Sequence, residues 1–504
     1  MVQANKSYSP ILGSNGKPMV REPSAGVIAR QREKIQSLRA KYDAAVTNFD
    51  NMKHWANADN LSASSAANPD VRRRLRSRAR YECRENNSFA KGMIDTLAND
   101  IVGRGPNLQI HNAGQEAAAK QLERNFRRWM NRIGLAPTLR TGITSEVSDG
   151  EIFAVAVNNP NIRNGVQLDV RLLEADYCSD FGGIQTVDYD DGIEYDKNGY
   201  PVAYNFLKDH PGDNFAGVSH WETKRVLADK VVHYFRQDRP GQRRGIPWVT
   251  PALPLFALMR RYTLAVTLCA ETAARYSGVM YADGNQVVPD EDVDPMDSIE
   301  FEMNSMLTLP MGWKLGQLKA EQPTTTYQMF RDALLCEISR CLNMPFNKAS
   351  GNSSGYNFAS GRLDHQTYFE FVDIERSNLE TRFLDRVFRW WIDEAVFIPG
   401  EIPPGIGPID QLDYSWRWPS HQHIDPQKQA AADLILWNAG LLTDEEYQLK
   451  SGNDPEEYYA SLERMYKRRS AIGAPLPGFQ QGAGQDPNND NETNEEEAAA
   501  DDNA

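Results

Sequence analysis

The sequence is poor in cysteine and in recognisable metal ligands. Its 504 residues include five cysteines and eight histidines, and no two cysteines form a C-x-x-C pair. An odd, scattered set of cysteines is typical of reduced core thiols and argues against a disulfide framework or a structural zinc site. One cluster has conceivable ligand spacing, namely His421, His423 and Asp425. We interpret it as polar loop residues that precede a helix.

Motifs for phosphate binding and covalent catalysis are also missing. No G-x-x-x-x-G-K-[ST] occurs, and Gly16-Lys17 is followed by a proline, which has no N–H to offer a phosphate. The stretch 351–355 reads G-x-S-x-G around Ser353, but a predicted helix precedes it, whereas a nucleophile elbow needs a strand there. No acidic cluster resembles a two-metal nuclease. We therefore predict a protein that is not an enzyme and uses no cofactor or metal.

Long apolar runs and positive net charge are absent as well. Arg260 and Arg261 interrupt the most apolar stretch, so we expect no run of the roughly 18 residues that a membrane span needs. The N-terminal residues lack the apolar core of a secretory signal, which predicts synthesis in the cytoplasm. The net charge is −14, of which −8 follows Arg469. A tightly binding DNA protein would normally be basic.

Hydrophobic periodicity predicts long helices around a central group of strands. Helices are predicted at 31–46, 69–102, 115–133, 252–276, 325–343 and 362–397, with three short ones after residue 425. Strand patterns occur in "EIFAVAVNN", "LDVRLLEADYC", "GIEYDKNGYPVAYNFL", "KVVHYF" and "LDYSWRWP". Because the strands lie between helices without regular alternation, the predicted fold class is α+β.

Arginines are concentrated in two places. Seven lie in the first half of the helix at 69–102: Arg72, Arg73, Arg74, Arg76, Arg78, Arg80 and Arg84. A solvated face is the favoured interpretation of this run, and an intersubunit or nucleic-acid contact is the alternative. The second place is "RPGQRRGIPW" at 239–248, where prolines and glycines indicate an ordered loop with arginines at its tip.

Two further segments stand out by their layout. Between 252 and 343, one long helix leads to a polar insertion with short strands, and a second long helix returns. The loop at 345–361 follows and is polar without being strongly basic. Its polar side chains include Asn347, Lys348, Asn352 and Asn357. The tail at 476–504 is acidic and low in hydrophobic residues, which predicts disorder.

From about residue 30 to 470 the chain resembles the portal proteins of lambda-type bacteriophages. The resemblance rests on pieces in a fixed order: "DTLANDIVGRGPNLQ", "GEIF", "LLEADYC", "GIEYDKNGYPVAY", "VVHYFRQDRPGQRRGIPWVTPAL", "YNFASGR" and "HIDPQKQAAADL". Each piece is weak alone. Their order, with the arginine loop between a strand and a long helix, is specific.

The resemblance implies a ring, usually of twelve subunits, at one capsid vertex through which DNA is packaged and ejected. It implies a portal fold with an α/β wing, a two-helix stem, a small β-containing clip, a tunnel loop and a helical crown. The implied division is an N-terminal arm at 1–30, wing at 31–250, stem at 251–278 and 325–344, clip at 279–324, tunnel loop at 345–361, a long wing helix and return strand at 362–424, and crown at 425–475.

The same resemblance implies partners and sites. The partners are further copies of the chain, DNA held weakly in the channel, the terminase large subunit, a major capsid or scaffold protein and a head–tail connector, with no membrane. The tunnel-loop residues Asn347, Lys348, Asn352 and Asn357 are expected to face DNA. The loop residues Arg239, Gln242, Arg243 and Arg244 are predicted intersubunit or wing–stem contacts. Capping of the loop within one subunit and DNA contact are the alternatives. The other functions left open are a monomeric DNA-processing enzyme and another virion structural or connector protein.

Overall fold

The computed structural model describes Phe49 and residues 52–111, 115–180, 186–213, 222–275, 279–282, 313–316, 325–355, 358–421 and 426–474. The chain divides into two units, Met1–Ser62 and Ala63–Ala504, and the account below concerns the second. The predicted helix at 31–46 and the tail at 476–504 lie outside the described residues, as does most of the segment 279–324.

The described chain mixes helices and antiparallel sheets. The helices before the central strands are α1 (Ala63–Ala66), α2 (Pro69–Ala79), α3 (Ser88–Val102), α4 (Glu116–Ile133) and α5 (Leu135–Asp149). Those after them are α6 (Leu253–Arg275), α7 (Thr325–Arg340), α8 (Phe346–Ser350), α9 (Phe358–Leu379), α10 (Asp385–Ala395), α11 (Pro426–Asn438), α12 (Asp444–Lys450) and α13 (Pro455–Ala471). Short π-helical segments, Arg80–Asn86 and Glu380–Leu384, follow α2 and α9.

The strands form small sheets. They are β1 (Asn107–Ile110), β2 (Glu151–Asn158), β3 (Leu168–Glu174), β4 (Tyr189–Asp190), β5 (Ile193–Tyr195), β6 (Pro201–Leu207), β7 (Thr223–Leu227), β8 (Val231–Phe235), β9 (Val279–Ala282), β10 (Trp313–Gly316) and β11 (Tyr414–Arg417). The sheet orders are β3-β2-β8, β4-β5-β6-β7, β1-β11 and β9-β10. The mixed helix-and-sheet prediction is confirmed, and every strand pattern named above contains an observed strand.

The predicted continuous helix at 69–102 is wrong at one point. Asn68 caps α2 by accepting a hydrogen bond from the Val71 N–H, as the Asn-Pro signal indicates. The π-helical segment that continues α2 then ends at Asn87, which is extended (φ −127°, ψ 110°) and whose side chain accepts from the Ala90 N–H to start α3. A second N-cap signal in "NNS" therefore outweighs the unbroken apolar spacing. The prediction also missed α5 and the strands β1, β4 and β7.

An aromatic cluster joins distant parts of the chain into one core. Phe126 of α4 packs edge-on against Phe388 and Trp391 of α10, with ring centroids 5.0 and 5.2 Å apart. Trp416 of β11 lies 5.9 Å from the same ring. Since β11 pairs with β1, residues near 110 and near 415 are held against one another. Burying aromatic rings of this size dominates the energy of such a core.

The helices α6 and α7 pack along one another as the helix–insertion–helix pattern predicts. Tyr262 of α6 stacks on Tyr327 of α7 at 5.7 Å, and the Tyr327 hydroxyl donates to the Thr263 oxygen over 3.2 Å. The antiparallel pair β9 and β10 belongs to the insertion between them. Several large apolar side chains of both helices are exposed on the single chain: Leu258, Leu264, Leu268, Met329 and Phe330.

By length and composition alone, the described helix Thr250–Thr272 could cross a membrane. By this measure, the prediction that no apolar stretch is long enough to span a membrane is wrong. Arg260 and Arg261 lie in the middle of this helix, and the Arg260 guanidinium is paired with Glu82 over 2.8 Å. Only 28% of the apolar window is buried within the chain.

A carboxyl group with one unbonded oxygen lies in the core of the described chain, beneath the β3-β2-β8 sheet. Glu146 of α5 is buried, and among the described residues nothing bonds its Oε2. Burial raises the pKa of Glu146 well above its ordinary value, the charge of Glu375 adds to this, and Arg236 and Arg382 act against it. Burial also raises the pKa of Glu375.

Glu146→Gln should remove part of the protein's loss of stability at high pH. A pKa that is raised in the folded state contributes to the stability of the fold. This contribution is fully present when the pH is below the ordinary pKa of about 4.3, and it is lost as the pH rises through the raised pKa. A neutral amide has no proton to lose, so the stability of the variant relative to the wild type should increase with pH. Melting temperatures measured from about pH 5 to about pH 9 test this. Glu116→Gln, at an exposed position, is the control, and parallel curves for wild type and Glu146→Gln would contradict the account.

Candidate functional sites

The arginine loop at 239–248 is held in shape by Gln242. The Gln242 Oε1 accepts from the backbone N–H groups of Asp238 and Arg239 over 2.9 and 3.2 Å. Its Nε2 donates to the Arg244 carbonyl over 2.9 Å. Gln242 is buried, so these bonds are shielded from water. The predicted contact residue Gln242 therefore organises the loop of its own chain.

Arg244 points from this loop into the protein and not outward. Its side chain is 1% exposed and forms a forked pair with Glu151, the first residue of β2, with Nη2 2.7 Å from Oε1 and Nε 2.9 Å from Oε2. Its remaining donors bond the carbonyls of Asp191 and Cys178 over 2.8 and 3.0 Å. For Arg244 the structure thus favours the alternative in which the loop is fixed within one chain.

Two glycines let the loop approach β2 at backbone distance. A Cβ on Gly150, which has φ +92°, would lie 2.4 Å from the Ile246 carbonyl carbon. A Cβ on Gly245 would lie 1.9 Å from the Gly150 oxygen. With both glycines in place, the Gly245 N–H donates to Glu151 Oε2 over 3.0 Å. The close crossing is what brings Arg244 onto its carboxylate.

Glu151 stays ionised although it is fully buried. Burial alone would raise its pKa, but Arg244 and a hydrogen bond from His233 hold the pKa well below its ordinary value. His233 Nε2 lies 3.0 Å from Glu151 Oε2. Burial lowers the pKa of His233 despite this carboxylate. We therefore assign a neutral imidazole whose Nε2–H donates to Glu151.

The arginine-rich helix α2 docks on the same network. Arg72 bonds Asp191 over 2.8 Å, and Arg76 bonds Asp176 over 2.8 Å and lies 3.4 Å from Glu151. Both arginines are 1% exposed, so the solvated-face interpretation is wrong for them. The partly exposed arginines of this helix and the adjoining π segment are also paired, Arg73 with Asp191 and Arg80 with Asp149, Glu174 and Asp176. Arg84 pairs with Asp95, whereas Arg74 and Arg78 are exposed, as the solvated-face interpretation predicts.

The other two loop arginines lie nearer the surface. Arg243 is partly exposed, donates to the carbonyls of Thr186 and Val187, and its guanidinium lies 4.4 Å from the centre of the Tyr195 ring. Arg239 is exposed at the tip of the loop. A contact of Arg239 or Arg243 with another subunit stays a prediction.

The polar segment at 345–361 begins with the short helix α8. Lys348 lies on it with its Nζ 2.5 Å from Asp100 Oδ2, and the Tyr368 hydroxyl donates to the same oxygen over 2.8 Å. Burial, followed by the Asp100 charge, raises the pKa of Tyr368 far above its ordinary value, so the phenol keeps its proton. The side chain of Lys348 is 20% exposed. Lys348 thus ties the segment to the end of α3.

The other residues predicted for this segment have different surroundings. The Asn347 amide donates to His365 Nε2 over 2.9 Å, while burial, and after it the charge of Lys348, lowers the pKa of His365. Asn352 is exposed, and Asn357 lies outside the described residues. A role of Asn347, Lys348, Asn352 and Asn357 in facing DNA stays a prediction.

Ser353 does not have the surroundings of a nucleophile. It follows α8 and not a strand, it is exposed, and its Oγ lies 3.5 Å from the Asn347 amide. The elbow geometry that activates a serine is therefore not formed around it.

One group of described side chains, Glu174, Asp176 and His210, has ligand atoms close enough to hold a metal ion. Arg80 already bonds both carboxylates, over 3.0 and 2.7 Å, and supplies the compensating positive charge. A metal ion would have to displace this guanidinium. At the cluster suggested by the sequence, the His421 ring stacks on Phe369 at 4.0 Å, and His423 and Asp425 lie outside the described residues.

Comparison with known proteins agrees with the resemblance seen in the sequence. Among curated proteins, the probable portal protein of Halomonas phage phiHAP-1 is 25% identical over 442 residues, which cover 80% of this chain and 82% of that protein. Portal protein B of Escherichia phage lambda is 23% identical over 180 residues, 33% of each chain. The portal protein of Escherichia phage N15 is 23% identical over 175 residues.

Solved structures with a similar chain include the neck of a native GTA particle computed with C12 symmetry, at 16% identity and a TM-score of 0.44. That alignment covers 75% of this chain and 93% of the other. The virion of a native gene transfer agent particle gives 14% identity and a TM-score of 0.45 over the same shares. The family model described as phage portal protein, lambda family, matches residues 49–376, about two thirds of the sequence. The chain therefore belongs to the lambda family of phage portal proteins.

Proposed function

We propose that copies of this portal protein assemble into a closed ring, of about twelve subunits, at one vertex of the capsid. Double-stranded DNA passes through the ring during packaging and ejection. The observation that carries the proposal is the family match over 49–376, which includes the arginine loop, both long helices and α8. In this proposal α6 and α7 are the stem, and the residues between them are the clip.

The exposed apolar faces of the stem helices support assembly. Leu264 and Leu268 on α6 and Met329 on α7 are each more than half exposed on the single chain. A soluble protein gains free energy when such a surface is removed from water, by about 25 cal/mol per Å² of apolar area. In a ring, each stem packs against the next, so every copy covers the same face. The apolar helix Thr250–Thr272 then needs no membrane.

Leu264→Glu with Leu268→Glu should break the ring without unfolding the subunit. Both side chains are exposed in the monomer, so charging them costs the fold little, whereas burying two carboxylates between subunits is costly. The particle mass should fall from that of a ring to that of monomers or small oligomers. Light scattering together with circular dichroism measures both properties.

The matched control is Leu227→Glu. Leu227 and Leu264 are each 54% exposed, but Leu227 lies on the strand β7, away from the stem. Rings of normal size from Leu264→Glu/Leu268→Glu, or loss of rings in Leu227→Glu, would remove the stem face from the proposal.

The segment 345–361 is proposed as the tunnel loop that touches DNA. Many of its side chains are polar, and one lysine per subunit gives a ring of separate lysines without a continuous basic wall. Phosphate contacts by lysine and arginine hold DNA by releasing counterions. A conduit benefits from few such phosphate contacts, because DNA must slide through it. The acidic net charge of the chain agrees with this requirement.

Lys348→Glu should sharply reduce the DNA packaged per prohead. The change places two carboxylates, the new one and Asp100, where the wild type has an ion pair of 2.5 Å. The segment should detach from α3, and the channel should lose a positive charge in every subunit. Rings of normal size must be confirmed before packaging is measured.

Two further variants separate an action of Lys348 on DNA from its role in anchoring the segment to α3. Asp100→Asn releases Lys348 but keeps its charge, so it should package normally if Lys348 acts on DNA and poorly if the ion pair holds the segment. The exchange Lys348→Asp with Asp100→Lys should restore packaging only in the second case. Normal packaging by Lys348→Glu rings would exclude Lys348 from the mechanism.

The remaining roles follow from the same proposal. Arg239, exposed on a loop held by Gln242 and Arg244, is proposed to pair with a carboxylate of the neighbouring subunit. The terminase large subunit, a capsid or scaffold protein and a head–tail connector are the proposed partners, and α11 to α13 are the proposed crown. The DNA-processing enzyme loses most of its support, because the buried arginines of the basic helix that suggested it, Arg72 and Arg76, are paired with acids inside the chain.

A further inference from the structure

We propose that a cavity between the end of α3, the corner of α4 and α5 and the start of the last helices binds phosphate groups. Its volume is about 640 Å³. The wall is built by residues 103–107, by the α4–α5 corner, by Pro419 and Ser420 and by Ser451 and Gly452. None of these residues belongs to the arginine network or to the Lys348 segment. The inference rests on the proposed function only in naming DNA as one source of phosphate.

Two arginines on the wall make no close contact with a carboxylate among the described residues. Arg104 is exposed and Arg127 is half-buried, and neither side chain makes an ion pair or hydrogen bond within the described chain. This contrasts with Arg72, Arg76 and Arg244, whose charges are matched by acids. A guanidinium presents a fork of donors that fits the oxygens of a phosphate group.

Carboxyl groups in the vicinity are engaged elsewhere. Glu123, one turn before Arg127 on α4, accepts from the Ile110 N–H over 2.8 Å, and burial raises its pKa while Arg127 acts against this. Asp454, just after the wall residue Gly452, is paired with Arg417 at 3.7 Å. The cavity therefore keeps a local excess of positive charge on an acidic protein.

The first residues of α5 add backbone donors to the wall. Leu135 and Ala136 open this helix and line the cavity, and the N-cap Gly134 has no side chain to accept from them. The leading N–H groups of a helix have no partner within the helix, and its dipole favours an anion there. Gly105 lets the opposite wall approach, since a Cβ on it would lie 2.8 Å from that of Ala136.

The composition of the wall selects the ligand. No aromatic side chain lines the cavity, so it offers no stacking platform for a base. Asn131, Ser420 and Ser451 supply further polar groups. The volume exceeds that of a single phosphate ion and lies in the range of ligand pockets. The ligand class is therefore a phosphate-bearing chain or a free phosphate compound, held through its oxygens.

The test uses the full-length protein and the double variant Arg104→Gln/Arg127→Gln, with Arg128→Gln as control. Arg128 is exposed on the same helix and does not line the cavity. The size of every variant's assembly is measured first, so a failure of ring formation is recorded separately from a failure of binding. The probes are a short fluorescein-labelled DNA duplex, followed by anisotropy, and pyrophosphate, followed by the melting temperature.

The double variant is expected to bind the duplex about tenfold more weakly at low salt, and the slope of log Kd against log salt should fall by about one to two. Pyrophosphate should raise the melting temperature of the wild type and of Arg128→Gln but not of the double variant. A pyrophosphate effect without arginine-dependent DNA binding would assign the site to free phosphate compounds. Equal losses in Arg128→Gln, or no loss in the double variant, would overturn the site. Binding that appears only after deletion of residues 479–504 would instead assign the cavity to the acidic tail.

Discussion

Glu151→Gln is expected to destabilise the subunit by about 3–5 kcal/mol, the usual cost of removing one partner from a buried ion pair. The variant keeps the size of the side chain but leaves the guanidinium of Arg244 without its carboxylate at a position that is 1% exposed. Arg76 and His233 lose the same partner. Chemical denaturation, followed by circular dichroism at fixed protein concentration, measures the difference in the free energy of unfolding.

The control for this change is Arg243→Gln in the same loop. Arg243 is partly exposed, bonds two backbone carbonyls and lies over the Tyr195 ring, so its loss should cost only about 1–2 kcal/mol. If Glu151→Gln unfolded at the same denaturant concentration as the wild type, the network would not hold the loop and α2 in place.

Gly150→Ala is expected to be about as damaging, at roughly 2–5 kcal/mol, because backbone strain and overpacking add. The residue has φ +92°, and its new Cβ would lie 2.4 Å from the backbone of Ile246. The loop would have to withdraw from β2, which would also lengthen the contact between Arg244 and Glu151. The melting temperature and the denaturation midpoint both report the loss.

Gly199→Ala separates the cost of backbone strain from the cost of overpacking. Gly199 also has a positive φ, +84°, but a Cβ there would meet nothing within 4 Å. It should therefore show the cost of backbone strain alone, about 1–3 kcal/mol. Equal effects at the two glycines would contradict the proposed close crossing of the loop and β2.

The sequence predicted the elements with strong local signals. The long helices predicted at 252–276 and 325–343 and the strands predicted in "GIEYDKNGYPVAYNFL" are confirmed. The helix α5 was missed because Gly134, Pro137 and Gly142 weaken its local propensity. Its stability comes instead from packing, since a Cβ on Gly142 would lie 3.6 Å from the side chain of Ile152 and 3.9 Å from that of Leu172 in the neighbouring sheet.

The buried charges could not be predicted from one segment at a time. The arginines of α2 lie about a hundred residues before their acids, and Glu151 lies 93 residues before Arg244. Taken alone, a run of arginines is best explained as a helix face that is exposed to solvent. Two acidic stretches next to glycines carried a signal that could have corrected this interpretation. They are Gly150-Glu151, at the start of a strand, and Asp190-Asp191-Gly192, where Asp191 has φ +45°.

The mass of the purified full-length particle tests the central claim most directly. We expect a single closed species of about a dozen 56.9 kDa subunits, with a central hole in negative-stain images. The Leu264→Glu/Leu268→Glu variant should give none of it. A wild-type protein that stays monomeric at micromolar concentration, in low and in high salt, would contradict the proposed ring and the DNA conduit that depends on it.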